Sequence, residues 1–221
     1  MIAILCATVP KSLTAEETAR IAVSLFPSRE NEEYFNKLRG EKNDDGIKES
    51  FFATVTLANA LKMLPCRTDT ESLTFEKSEI GKPYFKNSRV RFSISHSKGR
   101  VVCAVSDEGD VGVDIECSQI DGEKAKKLAK RYFATSDAEK IENDPSLFRK
   151  KWCEKEAETK FFGKELALFL KDERENEKNN LAQKNIEIAK KCIFYSFMWD
   201  NNPVVLCSEH KNSTIIFKIQ P

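Results

Sequence analysis

Hydrophobic positions divide the first part of the chain into short apolar runs separated by polar stretches. Residues 2–9 are mostly apolar over the length of one strand, which predicts a buried first strand. Thr14 and Glu17 have the spacing of a capping box, so a helix is expected to begin there. The mostly apolar segment 51–64 predicts a buried helix, and residues 28–48 before it are polar and rich in charge.

Short runs typical of strands come next, separated by turn residues such as Lys98 and Gly99. The predicted strands cover residues 72–75, 82–85, 90–95, 100–106 and 111–116. Helices are expected at about 122–133 and 144–163, with a small helix opened by Ser136 and Glu139 between them. Residues 171–185 are rich in lysine and asparagine and are interpreted as a solvated loop or mobile helix. Three further strands are predicted at 192–199, 203–208 and 214–219.

The order strand, helices, strands therefore occurs twice along the chain. This repetition predicts an α+β fold in which two similar α/β halves form a pseudo-dimer with small, mostly antiparallel sheets. The expected halves are residues 1–108 and 109–221, joined near 107–111. A cleft between two such halves is a usual place for a ligand.

Composition narrows the possible partners. Lys and Arg number 36 against 35 Asp and Glu, so the net charge selects no polyanion and nucleic acid is not expected. The apolar run at 2–9 is far shorter than the roughly 20 residues of a membrane span, and neither a signal peptide nor a membrane location is expected. The seven cysteines are scattered and lack a C-x-x-C pair, which favours the reducing cytoplasm over a disulfide scaffold or zinc site.

The run Val-Gly-Val-Asp-Ile-Glu at 111–116 places two carboxylates on one strand face. Side chains alternate along a strand, so Gly112, Asp114 and Glu116 share a face. Two neighbouring acids repel each other unless a positive charge lies between them, which indicates a hard-cation site. The alternative is a solvent-facing edge strand with ordinary surface acids.

The helix predicted at 144–163 carries a stripe formed by Trp152, Glu156, Lys160 and Gly163. Glu156 and Lys160 form a favourable i, i+4 pair, which on a surface stabilises a helix by only about 0.3–0.5 kcal/mol. A tryptophan beside such a pair is more commonly a core residue than a ligand contact. Alone, this stripe does not distinguish a site from an ordinary helix.

A third cluster is the strand end Ser-His-Ser-Lys-Gly at 95–99. Its hydroxyls, imidazole and turn amides are well suited to hold a phosphate. His96 is one of only two histidines, and a lone histidine is more often structural than functional. No cysteine or histidine stands at ligand spacing from it.

Taken together, these segments resemble the 4′-phosphopantetheinyl transferase superfamily, in its long pseudo-dimeric type that acts on carrier proteins of peptide synthetases and related systems. The family patterns are G-K-P, F-x-x-S-H, G-[IV]-D-[IVL]-E and W-x-x-K-E-[AS]-x-x-K-x-x-G. Their fixed positions are met by Gly81, Lys82, Pro83, Phe92, Ser95, His96, residues 112–116, Trp152, Lys155, Glu156, Ala157, Lys160 and Gly163. There are two departures: Lys164 is followed by Glu165 rather than glycine, and no arginine aligns before residue 51.

The resemblance implies roles for the matching residues. Asp114, Glu116 and Glu156 would bind Mg²⁺, and Glu156, directly or through a metal-bound water, is also the candidate base that takes the serine proton. His96 would contact the nucleotide phosphates and Lys160 a diphosphate oxygen.

Further roles follow from the same resemblance. Lys155 would support the acid cluster, and Ser95 would hydrogen-bond near the phosphates. The adenine-side pocket would be lined by Gly81, Lys82 and Pro83. Lys48 is the nearest candidate for the 3′-phosphate, with Lys37 and Arg39 as others.

The implied activity is that of a holo-carrier-protein synthase. It transfers 4′-phosphopantetheine from coenzyme A to a serine of an apo acyl or peptidyl carrier protein and releases adenosine 3′,5′-bisphosphate. A monomer that mimics a dimer is expected from the repeated halves. Two alternatives remain: a Mg²⁺-dependent phosphohydrolase of a nucleotide diphosphate, and an inactive module that binds carrier protein or coenzyme A.

Overall fold

The fold, taken from a computed structural model, combines helices with small sheets. The structure describes residues 1–40, 43–66, 68–178, 192–209 and 213–220. The helices are α1 (Ala15–Leu25), α2 (Arg29–Gly40), α3 (Asp44–Leu61), α4 (Gly122–Tyr132), α5 (Thr135–Asn143), α6 (Leu147–Phe162) and α7 (Leu166–Lys178). The strands are β1 (Ile2–Thr8), β2 (Phe75–Lys77), β3 (Pro83–Phe85), β4 (Arg91–Ser97), β5 (Arg100–Ser106), β6 (Val111–Ile115), β7 (Ile193–Trp199), β8 (Asn202–Ser208) and β9 (Ile215–Gln220).

These strands form one four-stranded sheet in the order β4-β5-β1-β9, one three-stranded sheet in the order β6-β8-β7, and the pair β2-β3. Every pairing is antiparallel except that of β1 with β9. The predicted α+β class with small, mostly antiparallel sheets is therefore confirmed. The division into halves at 108/109 stays a prediction. Strand β9 lies in the sheet of β1, so the end of the second predicted half completes the first sheet.

Strand β1 is buried on both faces, which explains its unbroken apolar pattern. Ala3 and Leu5 pack into a core with α1 and α3, whereas Ile2 and Ile4 pack into a second core with β6 and β8. Strand β1 therefore contributes one face to each of the two apolar cores.

The predicted capping box is confirmed, because the Thr14 hydroxyl accepts from Glu17 N and the Glu17 carboxylate accepts from Thr14 N. The polar stretch 28–48 was not predicted as helical, yet it contains α2 and the start of α3. Helix α2 has a narrow apolar face, on which Phe35 and Leu38 are buried. Two apolar positions among many charges give too weak a periodic signal to predict a helix.

The helices of the second part follow the predicted positions. Helix α5 begins after Ala134, which makes no side-chain cap, so the expected capping by Ser136 is wrong. Helix α6 ends at Gly163, whose φ of 63° is the left-handed conformation that favours glycine. Helix α7 occupies the first part of the predicted solvated stretch 171–185, and residues 179–185 lie outside the described residues. No helix in the described part of the chain has the length and hydropathy of a membrane span.

Candidate active site

Strand β4 lies beside β6, so that the edge of the four-stranded sheet faces the edge of the three-stranded sheet. Three serines at alternate positions of β4 connect the strands through their hydroxyls. These bonds are Val113 N to Ser93 Oγ at 3.0 Å, Ser95 Oγ to Asp114 Oδ1 at 2.6 Å, and Cys117 N to Ser97 Oγ at 3.2 Å. The serines replace the ladder bonds that a continuous sheet would make.

Gly112 allows α6 to pack directly against the backbone of β6. A Cβ atom at this position would lie 1.9 Å from Ala157 O and 2.6 Å from Phe161 N. No side chain fits there, so only glycine permits this approach of helix and strand. The close contact brings the polar stripe of α6 to the acidic face of β6.

Asp114 is buried at the centre of this contact, with 5% of its surface exposed. Its Oδ1 atom accepts from Ser95 Oγ and, at 2.8 Å, from Lys160 Nζ. Lys160 Nζ also donates to Val113 O at 3.3 Å. The alternative of a solvent-facing strand with ordinary surface acids is therefore wrong for Asp114. Its charge is balanced by a lysine from the neighbouring helix.

Asp114 and Glu116 both lie close enough to Glu156 to interact with it electrostatically. Burial raises the pKa of Glu156, Lys160 lowers it, and the charges of Asp114 and Glu116 raise it, so that it lies above the ordinary value. Glu116 Oε1 accepts from Ser118 N at 2.6 Å. The structure thus brings all three predicted acids and Lys160 into one cluster.

The cluster does not form a ready-made metal cage. Within the described ranges, no group of three or more histidine, cysteine, aspartate or glutamate side chains is arranged to hold a metal ion. Asp114 instead uses its Oδ1 for Ser95 and Lys160. The charges of Asp114 and Glu116 nevertheless both act on Glu156 and raise its pKa.

Next to this cluster, a cavity of about 250 Å³ separates the turn at 81–83 from the end of α6. Gly81 adopts a φ of 83° in this turn, which favours glycine. Lys82 Nζ donates to Val111 O at 3.5 Å, and burial lowers the pKa of Lys82. The cavity is lined by Ile80, Gly81, Lys82, Pro83, Phe92, Ser93, Ile94, Thr159, Lys160, Gly163 and Lys164. A ligand in this cavity would contact both the turn and the charged end of α6.

His96 faces α3, where Glu49 Oε2 lies 2.8 Å from its Nδ1 atom. Ser50 Oγ lies 3.5 Å from Nε2, so consecutive residues of α3 approach both ring nitrogens. Lys48, the residue before this pair, donates from Nζ to Lys11 O at 3.4 Å. Glu49 could not be identified from the sequence, because nothing in its local pattern connects it to a histidine 47 residues further along the chain.

Lys155 forms ion pairs with two carboxylates that do not belong to the acid cluster. Its Nζ atom lies 2.5 Å from Glu173 of α7 and 3.6 Å from Glu158. Burial lowers the pKa of Lys155, and the charges of Glu173 and Glu158 raise it by more. The contact with Glu173 connects α6 to α7. Trp152 packs against Phe133 and Phe148, in agreement with the interpretation of this residue as a core anchor.

Arg149 is a second residue that the sequence analysis missed. Its Nη2 atom donates to Glu116 O at 2.5 Å and to Asn202 Oδ1 at 2.6 Å. It thereby fixes Glu116, the predicted acid that directly follows β6, to the start of β8. The sequence predicts a helix at Arg149, but an arginine on the surface of a helix has the same local pattern. The sequence alone therefore does not reveal these contacts.

The part of the chain that matches known proteins contains the acid cluster. Residues 110–208 match the family model described as the 4′-phosphopantetheinyl transferase superfamily. The 4′-phosphopantetheinyl transferase gsp of Aneurinibacillus migulanus is 39% identical over 100 residues, which are 42% of this chain and 40% of the relative.

The protein slr0495 of Synechocystis sp., whose name assigns it provisionally as a 4′-phosphopantetheinyl transferase, is 30% identical over 137 residues. That match covers 57% of this chain and 54% of the relative. The chain thus spans about half the length of these two curated relatives. The family match includes β6, α6 and β8, and with them Asp114, Glu156 and Lys160. Residues 110–208 of this chain are thus similar to the 4′-phosphopantetheinyl transferase superfamily.

Proposed function

We propose that the protein transfers 4′-phosphopantetheine from coenzyme A to a serine of an apo acyl or peptidyl carrier protein, releasing adenosine 3′,5′-bisphosphate. The observation that carries this proposal is the cluster of Asp114, Glu116, Glu156 and Lys160 inside the segment that matches the superfamily. The superfamily name and the names of the two relatives support the type of transfer.

In this proposal Asp114, Glu116 and Glu156 hold Mg²⁺. The donor chemistry fits, because Mg²⁺ prefers carboxylate oxygens and is commonly held by one or two carboxylates together with waters and substrate phosphates. A complete protein cage is therefore not required. When bound, the ion supplies positive charge that offsets the negative charge of the diphosphate during transfer.

Coenzyme A is proposed to lie across the turn at 81–83 and the charged end of α6. The cavity between them supports this placement, since it presents Lys160 together with the backbone of Gly81, Lys82 and Pro83. Lys160 offsets charge at the diphosphate, and His96 contacts the nucleotide phosphates. Lys48 is proposed for the 3′-phosphate, because it directly precedes Glu49, whose carboxylate contacts His96.

The proposed reaction forms a bond between the carrier serine oxygen and the β-phosphorus of coenzyme A. The bond from that phosphorus to the bridging oxygen breaks, and adenosine 3′,5′-bisphosphate leaves with the electron pair. Glu156 is proposed to accept the serine proton, because a carboxyl pKa above the ordinary value makes it a better base. Lys160 offsets charge on the departing phosphate.

The carrier is expected to be an acidic domain recognised by a local surface. The protein is proposed to act as a monomer, from the repeated order of its elements. A cytoplasmic location is also proposed, supported by seven cysteines that are all free thiols among the described residues.

Mass spectrometry of candidate apo-carrier proteins tests the proposal. Each carrier is incubated with this protein, coenzyme A and Mg²⁺, and a single phosphopantetheine adduct is expected. A carrier whose acceptor serine is changed to alanine is the matched control and should gain no mass. Hydrolysis of coenzyme A without any carrier would favour the phosphohydrolase. Binding of both substrates without an adduct would favour the inactive binding module.

A further inference from the structure

Two of the seven cysteines lie together on the face of the three-stranded sheet that packs against α6. Cys207 of β8 is directly opposite Phe194 of β7 in the strand register. Cys192 stands two residues before Phe194, and alternation along the strand gives it the same face. Both cysteines pack in one apolar cluster with Ala157 and Phe161 of α6. The hairpin of β7 and β8 therefore brings two thiols together under the helix.

Hydrogen bonds connect the two thiols. Cys207 donates to the Cys192 sulfur, and this hydrogen bond, together with burial, raises the pKa of Cys207. Cys192 Sγ in turn donates to Glu158 Oε1 at 3.9 Å. Cys207 is fully buried, whereas Cys192 is only partly buried. Cys192 is therefore the thiol that a small molecule from solvent reaches first, and Cys207 is the thiol held behind it.

A second pair of neighbouring cysteines provides a contrast. Cys103 of β5 and Cys6 of β1 are adjacent in the register, since Cys6 is opposite Val102. Neighbouring residues of a strand point to opposite faces, and Cys6 and Cys103 accordingly pack in different apolar cores. Side chains that point apart in this way cannot form a disulfide without backbone movement. Only the pair under α6 combines proximity in the register with a shared face.

We infer that Cys192 and Cys207 form a reversible oxidation site, in which hydrogen peroxide converts the two thiols to a disulfide that joins β7 to β8. The Cys192 sulfur attacks one oxygen of the peroxide, the O–O bond breaks, and a sulfenic acid and one water form. The Cys207 sulfur then attacks the Cys192 sulfur, and the S–O bond breaks. The departing oxygen takes up the Cys207 proton and leaves as the second water.

The two sulfurs together lose two electrons, which reduce the peroxide to two waters. A small thiol such as glutathione returns the pair to its reduced form by thiol–disulfide exchange. A reducing compartment would therefore keep both thiols free until peroxide appears. No part of this chemistry involves coenzyme A or a carrier protein, so it does not rest on the proposed function.

The disulfide would close a loop that contains the β7–β8 hairpin. Such a cross-link stabilises a fold mainly by restricting the unfolded chain. Cys207 is also opposite Gly112, the residue at which α6 packs against the backbone of β6. The cross-link would thus lie beside the contact that supports the acid cluster, and oxidation should make the fold more resistant to unfolding.

Peptide mapping by mass spectrometry after treatment with hydrogen peroxide tests the inference. The digested parent protein should contain one cross-linked peptide pair that joins Cys192 to Cys207, and dithiothreitol should remove it. Cys192→Ser should give no cross-link. Cys66→Ser removes the exposed cysteine and is the matched control, with the same cross-link as the parent. Cys6 and Cys103 should stay unlinked in every digest.

Dimedone, which labels sulfenic acids, identifies the thiol that reacts first. Cys207→Ala should leave a labelled Cys192, because the second thiol is missing, whereas Cys192→Ser should leave Cys207 unlabelled. Urea unfolding measures the effect on stability. Oxidation should raise the midpoint of the parent and of Cys66→Ser by about 1 M, from the usual stabilisation by a disulfide and the usual urea dependence. The midpoint of Cys192→Ser should not rise.

Three results would overturn the inference. The first is the absence of a cross-linked peptide in the parent at a peroxide concentration that oxidises Cys66. The second is linkage of Cys192 or Cys207 to any other cysteine. The third is an equal rise of the urea midpoint in Cys192→Ser. The first two are measured on the parent protein, so they decide the question even if a variant does not fold.

Discussion

Replacing Gly112 by alanine tests the closest packing contact at the candidate site. The added Cβ would lie 1.9 Å from Ala157 O and 2.6 Å from Phe161 N, both of them backbone atoms of α6. Ordinary van der Waals contact needs about 3.5 Å, so helix and strand must separate by about 1.5 Å. Backbone atoms cannot rotate away as a flexible side chain can. The strain therefore falls on the whole α6–β6 contact.

The expected cost is at the upper end of the range for overpacked cores, about 3 kcal/mol. With a urea m-value of about 2 kcal/mol/M, this lowers the unfolding midpoint by about 1.5 M. The separation would also disturb the 2.8 Å contact between Asp114 and Lys160, so transfer activity should fall together with stability. Urea unfolding followed by circular dichroism measures the first effect, and carrier modification measures the second.

Gly40→Ala is the matched control, because a Cβ at Gly40 meets no atom within 4 Å and the residue is helical. This variant should leave the midpoint unchanged or raise it slightly, since alanine is favoured over glycine in helices. If Gly112→Ala unfolds within about 0.3 M of the parent, a shift too small for the strain argued above, β6 and α6 do not pack as described.

Three further variants probe charge at and around the site. Asp114→Asn should lower turnover by at least about a hundredfold in the carrier mass assay, and should also lower the urea midpoint because Lys160 loses its buried anionic partner. The parent should bind coenzyme A about ten- to a hundredfold more tightly than dephospho-coenzyme A, and Lys48→Ala should abolish that difference in calorimetry. Burial raises the pKa of Asp137, but the hydrogen bond from Lys140 and the charge of Lys151 lower it by more, so the folded pKa lies below the ordinary 3.8. Its stabilising contribution is therefore present above pH 3.8 and is lost as the pH falls through the folded pKa. Asp137→Asn should lower the urea midpoint at pH 7, and the difference from the parent should shrink towards pH 3, whereas a constant difference would contradict the pKa argument.

The Asp114 prediction differs from what a cluster of three acids suggests by itself. Mutual repulsion alone would make removal of any one acid stabilising. In the structure Asp114 is the acid that pairs with Lys160, whereas burial and the neighbouring acids raise the pKa of Glu156. Glu156→Gln should accordingly raise the midpoint in metal-free buffer, in contrast to Asp114→Asn.

Much of the local structure could be predicted because it depends on residues close together in the chain. The apolar run at 100–106 is β5, and the glycine at 163 ends α6. Alternation along β6 correctly placed Gly112 and Asp114 on a face different from that of Val113, which packs in the apolar core.

Contacts between distant segments could not be predicted from the same patterns. The pairing of β9 with β1 joins the two ends of the chain, and no local period records it. The partner of Lys155 on α7 and the partner of His96 on α3 depend equally on how whole elements pack. The family resemblance supplied functional roles for these side chains but not the neighbours that orient them. Those neighbours, Glu49 among them, can be identified only from the three-dimensional structure.

The charges of the candidate site connect its folding to its proposed chemistry. When ionised, Asp114, Glu116 and Glu156 carry three negative charges and Lys160 one positive charge, so the cluster as a whole is anionic. Coenzyme A is also polyanionic, and its phosphates would be repelled by such a cluster. A divalent cation would reverse the sign of the interaction, because the same carboxylates would then hold the charge that attracts the diphosphate. Metal and substrate should therefore strengthen each other's binding by the same factor, as thermodynamic linkage requires. Lys160 balances the charge of the buried Asp114 in the folded protein, and Glu156, the acid with the raised pKa, is left as the group best able to take up a proton.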